Sequence, residues 1–433
     1  MVSRRCVTAV VLAVCCFAIS AAPGVGVAQA AEPVAADLLG GGAPGPIPPL
    51  PLPGSLPLPE NDPFYRAPSG LGHYKPGAVL RSRRVIALGL TNLLGSVSVD
   101  QLLFRSTDAT GHPIAAVTTL LKPTLPAAGQ RKVVSYQALE DSLTTGCAPS
   151  FTLRTNSGLS QPAENGLIAG LLGNGWDVLV PDHEGPRSEV GVGPVAGRIT
   201  LDSVRAAENY GPAGLDGKRT PVGLMGYSGG AFPTTWANAL ASDYAPELNL
   251  VGVTAGGIGP NLEASFRGYP GPPFFGTVLG LGVALDRAYP QLQFDDLLND
   301  HGREQAARDS RDADGCGGLV FNAPLATVPG NTRFPDMDSL LAVPRVHEVL
   351  EKVNLIKGPT FKAPSLFVQG EQDELAFIGP VDELVAANCR HGATIDYRRV
   401  PGDHFSTLPL YLALTVPFFR DRFADLPASN TCS

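Results

Sequence analysis

Residues 221–230 read P-V-G-L-M-G-Y-S-G-G, a short apolar run that ends in a glycine-rich turn. The turn matches the pattern G-x-S-x-G, whose positions are taken by Gly226, Tyr227, Ser228, Gly229 and Gly230. In a nucleophile elbow the chain turns so sharply from strand to helix that side chains do not fit at the outer glycines. The serine hydroxyl is then held above the end of a buried strand. The pattern predicts Ser228 as a nucleophile if a base and an acid follow it along the chain.

The composition excludes several classes of protein. The 433 residues are 44% hydrophobic and 17% charged, which suffices for a large buried core. The formal net charge of −8 argues against nucleic acid or an anionic membrane surface as a partner, because both attract basic patches. The chain contains no internal repeat, Walker-type phosphate loop, G-x-G-x-x-G pattern or zinc signature. We expect neither a cofactor nor a metal.

Residues 1–30 have the features of a secretory signal peptide. Arg4 and Arg5 precede an apolar run over residues 7–19, and Ala28-Gln29-Ala30 offers an A-x-A cleavage site. We therefore expect cleavage near Ala30 and a secreted protein, extracellular or associated with the cell envelope. A retained membrane anchor is disfavoured because the apolar run is shorter than the ~20 residues that a span requires. A lipid-modified cysteine within that run is disfavoured as well. Residues 31–60, rich in Gly, Pro and Leu, predict an extended linker.

Short β-rich runs mark the strands of the folded region. Residues 102–105 and 114–121 flank a D-A-T-G turn and predict an antiparallel hairpin. Further runs, several with helical segments between them, lie at residues 133–137, 178–180, 222–225, 250–253, 365–368 and 395–397. Alternating strands and helices predict a mostly parallel sheet with helices on both faces. Together the runs predict an α/β-hydrolase fold with about eight strands.

A long insertion divides the predicted core. The core is expected at residues 61–260 and 354–433, with an inserted, mainly helical cap or lid at residues 261–353. Its first part, residues 269–285, is apolar and contains Gly276, Gly280 and Gly282. An apolar cover suits an apolar substrate, and glycines weaken helix packing. We therefore expect a cap over the active site that is able to shift.

The candidate base is chosen by its position relative to the last strand. In α/β-hydrolases the nucleophile, the acid and the base follow one another along the chain, and the acid and base follow late strands. His391 precedes the strand predicted at residues 395–397, whereas His404 follows it in the segment P-G-D-H-F. His404 is therefore the predicted base.

The acid is expected in the segment G-E-Q-D-E, which follows the strand predicted at residues 365–368. Asp373 occupies the usual G-x-x-D position. Glu371 and Glu374 lie in the same loop and remain rivals. The sequence thus predicts a catalytic triad of Ser228, Asp373 and His404.

Five segments carry a resemblance to a known family. They are residues 135–142 (S-Y-Q-A-L-E-D-S), 147–150 (C-A-P-S), 182–185 (D-H-E-G), 226–231 (G-Y-S-G-G-A) and 244–249 (Y-A-P-E-L-N). From about Asp62 onward the chain resembles the secretory lipase family, the lipase A type of yeasts and actinobacteria. The resemblance implies an oxyanion hole formed by the backbone amides of Asp141 and Gly229. The position of Asp141 agrees, because it follows the strand predicted at residues 133–137, where an α/β-hydrolase draws its second amide.

Four cysteines remain after the expected cleavage: Cys147, Cys316, Cys389 and Cys432. An even number in an oxidising compartment predicts disulfide bonds, and the residues alone leave all three pairings open. The family resemblance implies the pairs Cys147–Cys316 and Cys389–Cys432.

The segment D-H-E-G at residues 182–185 suggests either a metal site or a second acid–base pair. It follows a predicted strand and lacks a companion cluster of histidines, so we expect a structural role near the rim of the active site.

The predicted function is hydrolysis of carboxylic esters by a secreted serine hydrolase, with acylglycerols as the expected substrates. A small-ester carboxylesterase, an acyltransferase or a peptidase would use the same triad. A non-catalytic cell-surface binding module is the alternative outside enzymes. The expected partner is a lipid or ester substrate, with transient contact between the cap and a lipid interface. No nucleic acid and no obligate protein partner are expected.

Overall fold

The computed structural model of the protein describes residues 56–95, 97–158, 160–269, 274–311, 316 and 326–432. The expected signal peptide and residues 31–55 of the expected linker lie outside the described residues. So do residues 270–273 of the apolar segment in the insertion. Within the described ranges, no helix has the length and apolar character needed to cross a bilayer.

A nine-stranded sheet in the order β1-β2-β3-β5-β4-β6-β7-β8-β9 forms the centre of the molecule. The strands are β1 Val79–Val85, β2 Ser98–Thr107, β3 Pro113–Lys122, β4 Val133–Gln137, β5 Asp177–Pro181, β6 Val222–Tyr227, β7 Leu250–Gly256, β8 Ser365–Gly370 and β9 Ile395–Val400. The pairs β1–β2, β2–β3 and β3–β5 are antiparallel, and the remaining pairs are parallel. The predicted α/β fold with an antiparallel start is confirmed.

The prediction of about eight strands missed β1. Its sequence V-L-R-S-R-R-V contains three arginines, and much of the strand is exposed. A polar edge strand has neither a continuous apolar run nor a clean alternation, so its sequence signal is weak.

The helices lie on both faces of the sheet and in the insertion between β7 and β8. They are α1 Leu88–Leu94, α2 Pro149–Thr155, α3 Gln161–Gly173, α4 Gly193–Asn209, α5 Ala231–Tyr244, α6 Leu262–Gly268, α7 Phe275–Ala288, α8 Asp300–Asp309, α9 Val328–Asn331, α10 Met337–Leu341, α11 Pro344–Lys352, α12 Ile378–Arg390 and α13 Leu408–Phe423. Pro233 falls in the first turn of α5, where its missing N–H is no loss.

The insertion, residues 261–353, shares an apolar core with the sheet domain. Leu279 and Leu285 of α7 belong to the same buried cluster as Phe232 of α5 and Ala255 of β7. Gly282 lies against Phe294, since a Cβ at that glycine would lie 2.1 Å from the ring atom Cζ. This glycine therefore permits a close contact within the insertion.

Two disulfide bonds join distant parts of the chain. Cys147, in the loop after β4, is bonded to Cys316 of the insertion. Cys389 at the end of α12 is bonded to Cys432. The same C-terminal segment lies along β9, where the Thr431 amide donates to Ile395 O at 2.7 Å. The bond partners are those that the family resemblance implies.

Candidate active site

Ser228 stands at the turn between β6 and α5. Its φ of 55° lies in the left-handed region, which a residue with a side chain occupies only under constraint. The flanking glycines are required by space: a Cβ at Gly226 would lie 2.0 Å from Gly230 O, and a Cβ at Gly230 would lie 2.0 Å from Gln137 O. The turn therefore has the geometry of a nucleophile elbow.

His404 connects Ser228 to Asp373. Its Nε2 lies 2.7 Å from Ser228 Oγ, and its Nδ1 lies 2.9 Å from Asp373 Oδ2 and 3.0 Å from Oδ1. Both His404 and Asp373 are buried. In this arrangement a carboxylate orients the imidazole, and the imidazole is placed to take the serine proton. The structure thus brings together the three side chains that the sequence predicted as a triad.

Besides His404, three donors hold Asp373. The amides of Leu375 and Ala376 donate to Oδ1 at 3.0 and 2.7 Å, and Gln369 Nε2 donates to Oδ2 at 3.0 Å. The backbone amide of Ile258 donates to Oε1 of Gln369, and this hydrogen bond orients the side-chain amide of Gln369. Gln369 was not among the site residues predicted from the sequence, although a glutamine at the end of an otherwise apolar strand is a signal for a buried polar contact.

The rival carboxylates have other contacts. Glu374 accepts a hydrogen bond from the backbone amide of His404 at 3.2 Å. Glu371 faces Arg399, with 3.8 Å between the carboxylate and Nε. The acid that the structure places against the imidazole is Asp373.

Two further residues position His404. Tyr227 donates a hydrogen bond from its hydroxyl to the backbone oxygen of His404. Gly257 follows β7 with a φ of 60°, and a Cβ there would lie 2.8 Å from His404 Cε1. Sequence patterns gave no signal for Gly257, because its role depends on the approach of a ring 147 residues away in the chain.

Asp141 and Gly229 lie together beside Ser228. Asp141 has a φ of 37°, and a Cβ at Gly229 would lie 1.9 Å from Asp141 Oδ1, so a side chain at position 229 would displace the Asp141 carboxyl. Burial raises the pKa of the Asp141 carboxyl to about 6, although the charge of His404 acts in the opposite direction. Their backbone amides are the predicted oxyanion donors.

The segment D-H-E-G follows β5 and packs behind this loop. Asp182 accepts hydrogen bonds from the amide and hydroxyl of Ser150 at 2.8 and 2.6 Å. His183 Nε2 lies 3.0 Å from Ala138 O and therefore donates to it. Burial lowers the pKa of His183 to about 4, so the ring is neutral at neutral pH. These hydrogen bonds have a structural role. They also engage the Asp182 carboxylate and His183 Nε2, the atoms that would bind a metal.

A different group has the spacing of metal ligands. Within the described ranges, Glu263, His347 and Glu351 of the insertion place ligand atoms within 4.8 Å of one another. Arg267 pairs with Glu263, and Lys357 pairs with Glu351. Both carboxylates thus already face cationic side chains, and we assign no metal to them.

A cavity of about 140 Å³ opens onto Ser228 and His404. One part of its wall is apolar and comes from α5, α6 and α7: Phe232, Pro233, Leu262 and Leu281. Asp141 and Glu184 form a polar part. Burial, with the nearby Asp141 charge, raises the pKa of Glu184 well above its usual range. The cavity can therefore receive an apolar chain next to the serine.

The sheet order and the elbow together define an α/β-hydrolase. The model of the family described as secretory lipase matches residues 152–431. The chain belongs to the secretory lipase family, and it is an enzyme that hydrolyses carboxylic esters.

Individual relatives agree over most of the length. A secreted triacylglycerol lipase of Malassezia globosa is 32% identical over 388 residues, which cover 87% of this chain and 83% of the relative. A probable inactive lipase of Mycobacterium tuberculosis is 34% identical over 391 residues, which cover 86% of this chain and 84% of the relative. The crystal structure of Candida antarctica lipase A in its closed state superimposes with a TM-score of 0.80 at 30% identity, covering 87% of this chain and 89% of that one.

Proposed function

We propose that the protein is a secreted lipase that cleaves acylglycerol esters through a Ser228–His404–Asp373 triad and an acyl-enzyme. The observation that carries the proposal is the 2.7 Å contact between Ser228 Oγ and His404 Nε2 at the floor of a partly apolar cavity. A serine hydroxyl is a weak nucleophile unless an oriented base removes its proton.

The steps follow from these positions. His404 Nε2 takes the proton of Ser228 as Oγ bonds to the ester carbonyl carbon. The amides of Asp141 and Gly229 donate to the oxyanion, and collapse of the tetrahedral intermediate releases the alkoxide, which takes the proton from His404. Water then attacks the acyl-enzyme, again giving its proton to His404, and the carboxylic acid leaves as Ser228 regains its proton.

The choice of a lipid ester rests on the insertion and on the relatives. We propose that residues 261–353 act as a cap, because α6 and α7 supply Leu262 and Leu281 to the cavity wall. An apolar wall binds an acyl chain by removing it from water. The name of one relative, a secreted triacylglycerol lipase, is compatible with this substrate and with export. The two disulfide bonds are also compatible with export.

One relative is named a probable inactive lipase, so the test asks whether the proposed triad carries the reaction. The test compares wild type with Ser228→Ala on emulsified triacylglycerol and on p-nitrophenyl esters of short and long acyl chains. We expect kcat to fall by roughly 10³ to 10⁶.

A fluorophosphonate probe should label Ser228, and the exposed Ser157→Ala variant serves as the control that retains both labelling and turnover. Hydrolysis by purified Ser228→Ala at the wild-type rate would refute the assignment of the nucleophile. Esterase activity in a wild type whose Ser228 is not labelled would refute the proposed triad as well.

A further inference from the structure

Arg287 of α7 reaches out of the insertion to the backbone of two loops of the sheet domain. Its Nη1 lies 2.9 Å from Leu143 O, 2.7 Å from Arg187 O and 3.1 Å from Ser188 O. An Nη atom carries two hydrogens, so one of them makes a bifurcated hydrogen bond that reaches two of the three oxygens. Among side chains, the guanidinium is suited to holding several acceptors at once.

The first of these oxygens belongs to the loop that carries a proposed oxyanion donor. The oxyanion loop, residues 138–147, follows β4, and Leu143 lies two residues after Asp141. The left-handed φ of Asp141 is a conformation that persists only when surrounding contacts impose it. Ser188, whose oxygen Arg287 also contacts, has a left-handed φ of 47°.

The sheet domain and the insertion both contact the oxyanion loop. From the sheet domain, His183 donates to Ala138 O at 3.0 Å, and Glu164 accepts from the Leu139 amide at 3.2 Å. From the insertion, Arg287 donates to Leu143 O and Cys316 is bonded to Cys147. The disulfide bond only limits how far the loop can move, whereas the hydrogen bond fixes the peptide plane between Leu143 and Thr144, three peptide units after the one that carries the Asp141 amide.

We infer that Arg287 is a positioning residue that orients the oxyanion loop, so that the docked insertion aligns the Asp141 amide with the developing oxyanion. This inference rests on the proposed oxyanion role of Asp141. Burial lowers the pKa of the Arg287 guanidinium, and the nearby carboxyl groups of Glu189 and Glu184 act in the opposite direction. A neutral side chain of similar length would keep the packing of the stem and remove both the donors and the charge.

The experiment uses full-length Arg287→Met with Arg287→Lys as the conservative variant. Arg303→Met is the matched control, because Arg303 Nη1 donates at 2.7 Å to Leu298 O, an oxygen within the insertion itself. Each variant is assayed on a p-nitrophenyl ester and on the corresponding thionoester, in which sulfur is a poor hydrogen-bond acceptor for the oxyanion donors. The ratio of the two kcat values reports on the oxyanion hole, and thermal unfolding is followed in parallel.

For Arg287→Met we expect kcat on the ester to fall about 10-fold or more with KM within about 2-fold of wild type, since a displaced donor acts on the transition state. The preference for the ester over the thionoester should shrink as well. Arg287→Lys should lie between Arg287→Met and wild type, and Arg303→Met should keep the wild-type preference.

A wild-type kcat and a wild-type ester preference in Arg287→Met would overturn the inference. Equal losses on ester and thionoester would overturn it too, because they indicate a purely structural role. If Arg287→Met does not fold, Arg287→Lys replaces it in the test: a reduced ester preference supports the inference, and a wild-type preference overturns it. Activity in Ser228→Ala would instead refute the proposed function itself.

Discussion

Gly257 illustrates how a single residue without a functional group controls the site. It combines a left-handed φ of 60° with direct contact to His404, whose Cε1 would lie 2.8 Å from a Cβ at this position. The imidazole cannot yield easily, because its two nitrogens are engaged by Ser228 and Asp373. A methyl group here therefore acts on the geometry of catalysis.

We predict that Gly257→Ala lowers kcat by about 10²-fold, the scale expected when a catalytic group is displaced by about 1 Å. The free energy of unfolding should fall by about 1 kcal/mol because alanine is strained at positive φ. Gly214→Ala is the control: its φ is 69°, yet a Cβ would meet nothing within 4 Å. Steady-state kinetics and urea unfolding on both variants should give similar losses of stability and a loss of kcat in Gly257→Ala alone. Equal kcat values would contradict the role of Gly257.

At the scale of the element, α7 separates the cavity from the interior of the insertion. Leu281 faces the cavity, and Leu281 Cδ2 would lie 2.5 Å from a Cβ at Gly191. Gly282, one residue on, lies against Phe294 on the other side. Gly276, Gly280 and Gly282 were interpreted from the sequence as a source of mobility, whereas Gly282 has a packing role in the structure.

Leu281→Asp should reduce activity on long-chain esters far more than on acetate esters. An unpaired carboxylate beside an acyl chain is costly to bury, by several kcal/mol, whereas an acetyl group does not reach it. Leu281→Asn is the matched control, because asparagine has the shape of aspartate without its charge. It should give a smaller loss of activity on long-chain esters. The measurement is kcat/KM on p-nitrophenyl esters of increasing chain length. Equal losses at every length would mean that α7 has a structural role only.

For the whole molecule, buried titratable groups determine how stability depends on pH. Burial raises the pKa of Glu164 from 4.5 to about 7 and that of Asp182 from 3.8 to about 7. Such acids bind more protons in the folded protein than in the unfolded chain. Their contribution to the free energy of unfolding is therefore complete below the unfolded pKa and is lost as the pH rises toward 7. His183 acts in the opposite direction, because burial lowers its pKa from 6.5 to about 4 and stability is lost as the pH falls through this range.

We therefore predict that Tm is highest at mildly acidic pH and falls by a few degrees between about pH 6.5 and about pH 8, where the folded carboxyls lose their remaining protons and outweigh the single histidine. Glu164→Gln should flatten this decline, because the amide has no proton to lose. The exposed Glu348→Gln is the control and should keep the wild-type profile. Calorimetry across the pH range measures both, and a Tm that rises from pH 6.5 to 8 would contradict the prediction.

The amino-acid sequence by itself determined what depends on local sterics and chain order. Gly226 and Gly230 predicted a turn that only glycine permits, and short apolar or β-branched runs predicted the strand before it and most other strands of the sheet. Ser228, Asp373 and His404 could be chosen because each follows a strand, and parallel strands end at one edge of a sheet.

The tertiary structure alone decided what depends on contacts between distant segments. Gln369 behind Asp373, Gly257 beneath His404 and Arg287 at the oxyanion loop have no local pattern, because their roles arise from a partner far away in the chain. The edge strand β1 was missed for a related reason. Its pairing is stabilised by the neighbouring β2 rather than by an apolar pattern of its own, and packing of this kind exists only once the chain has folded.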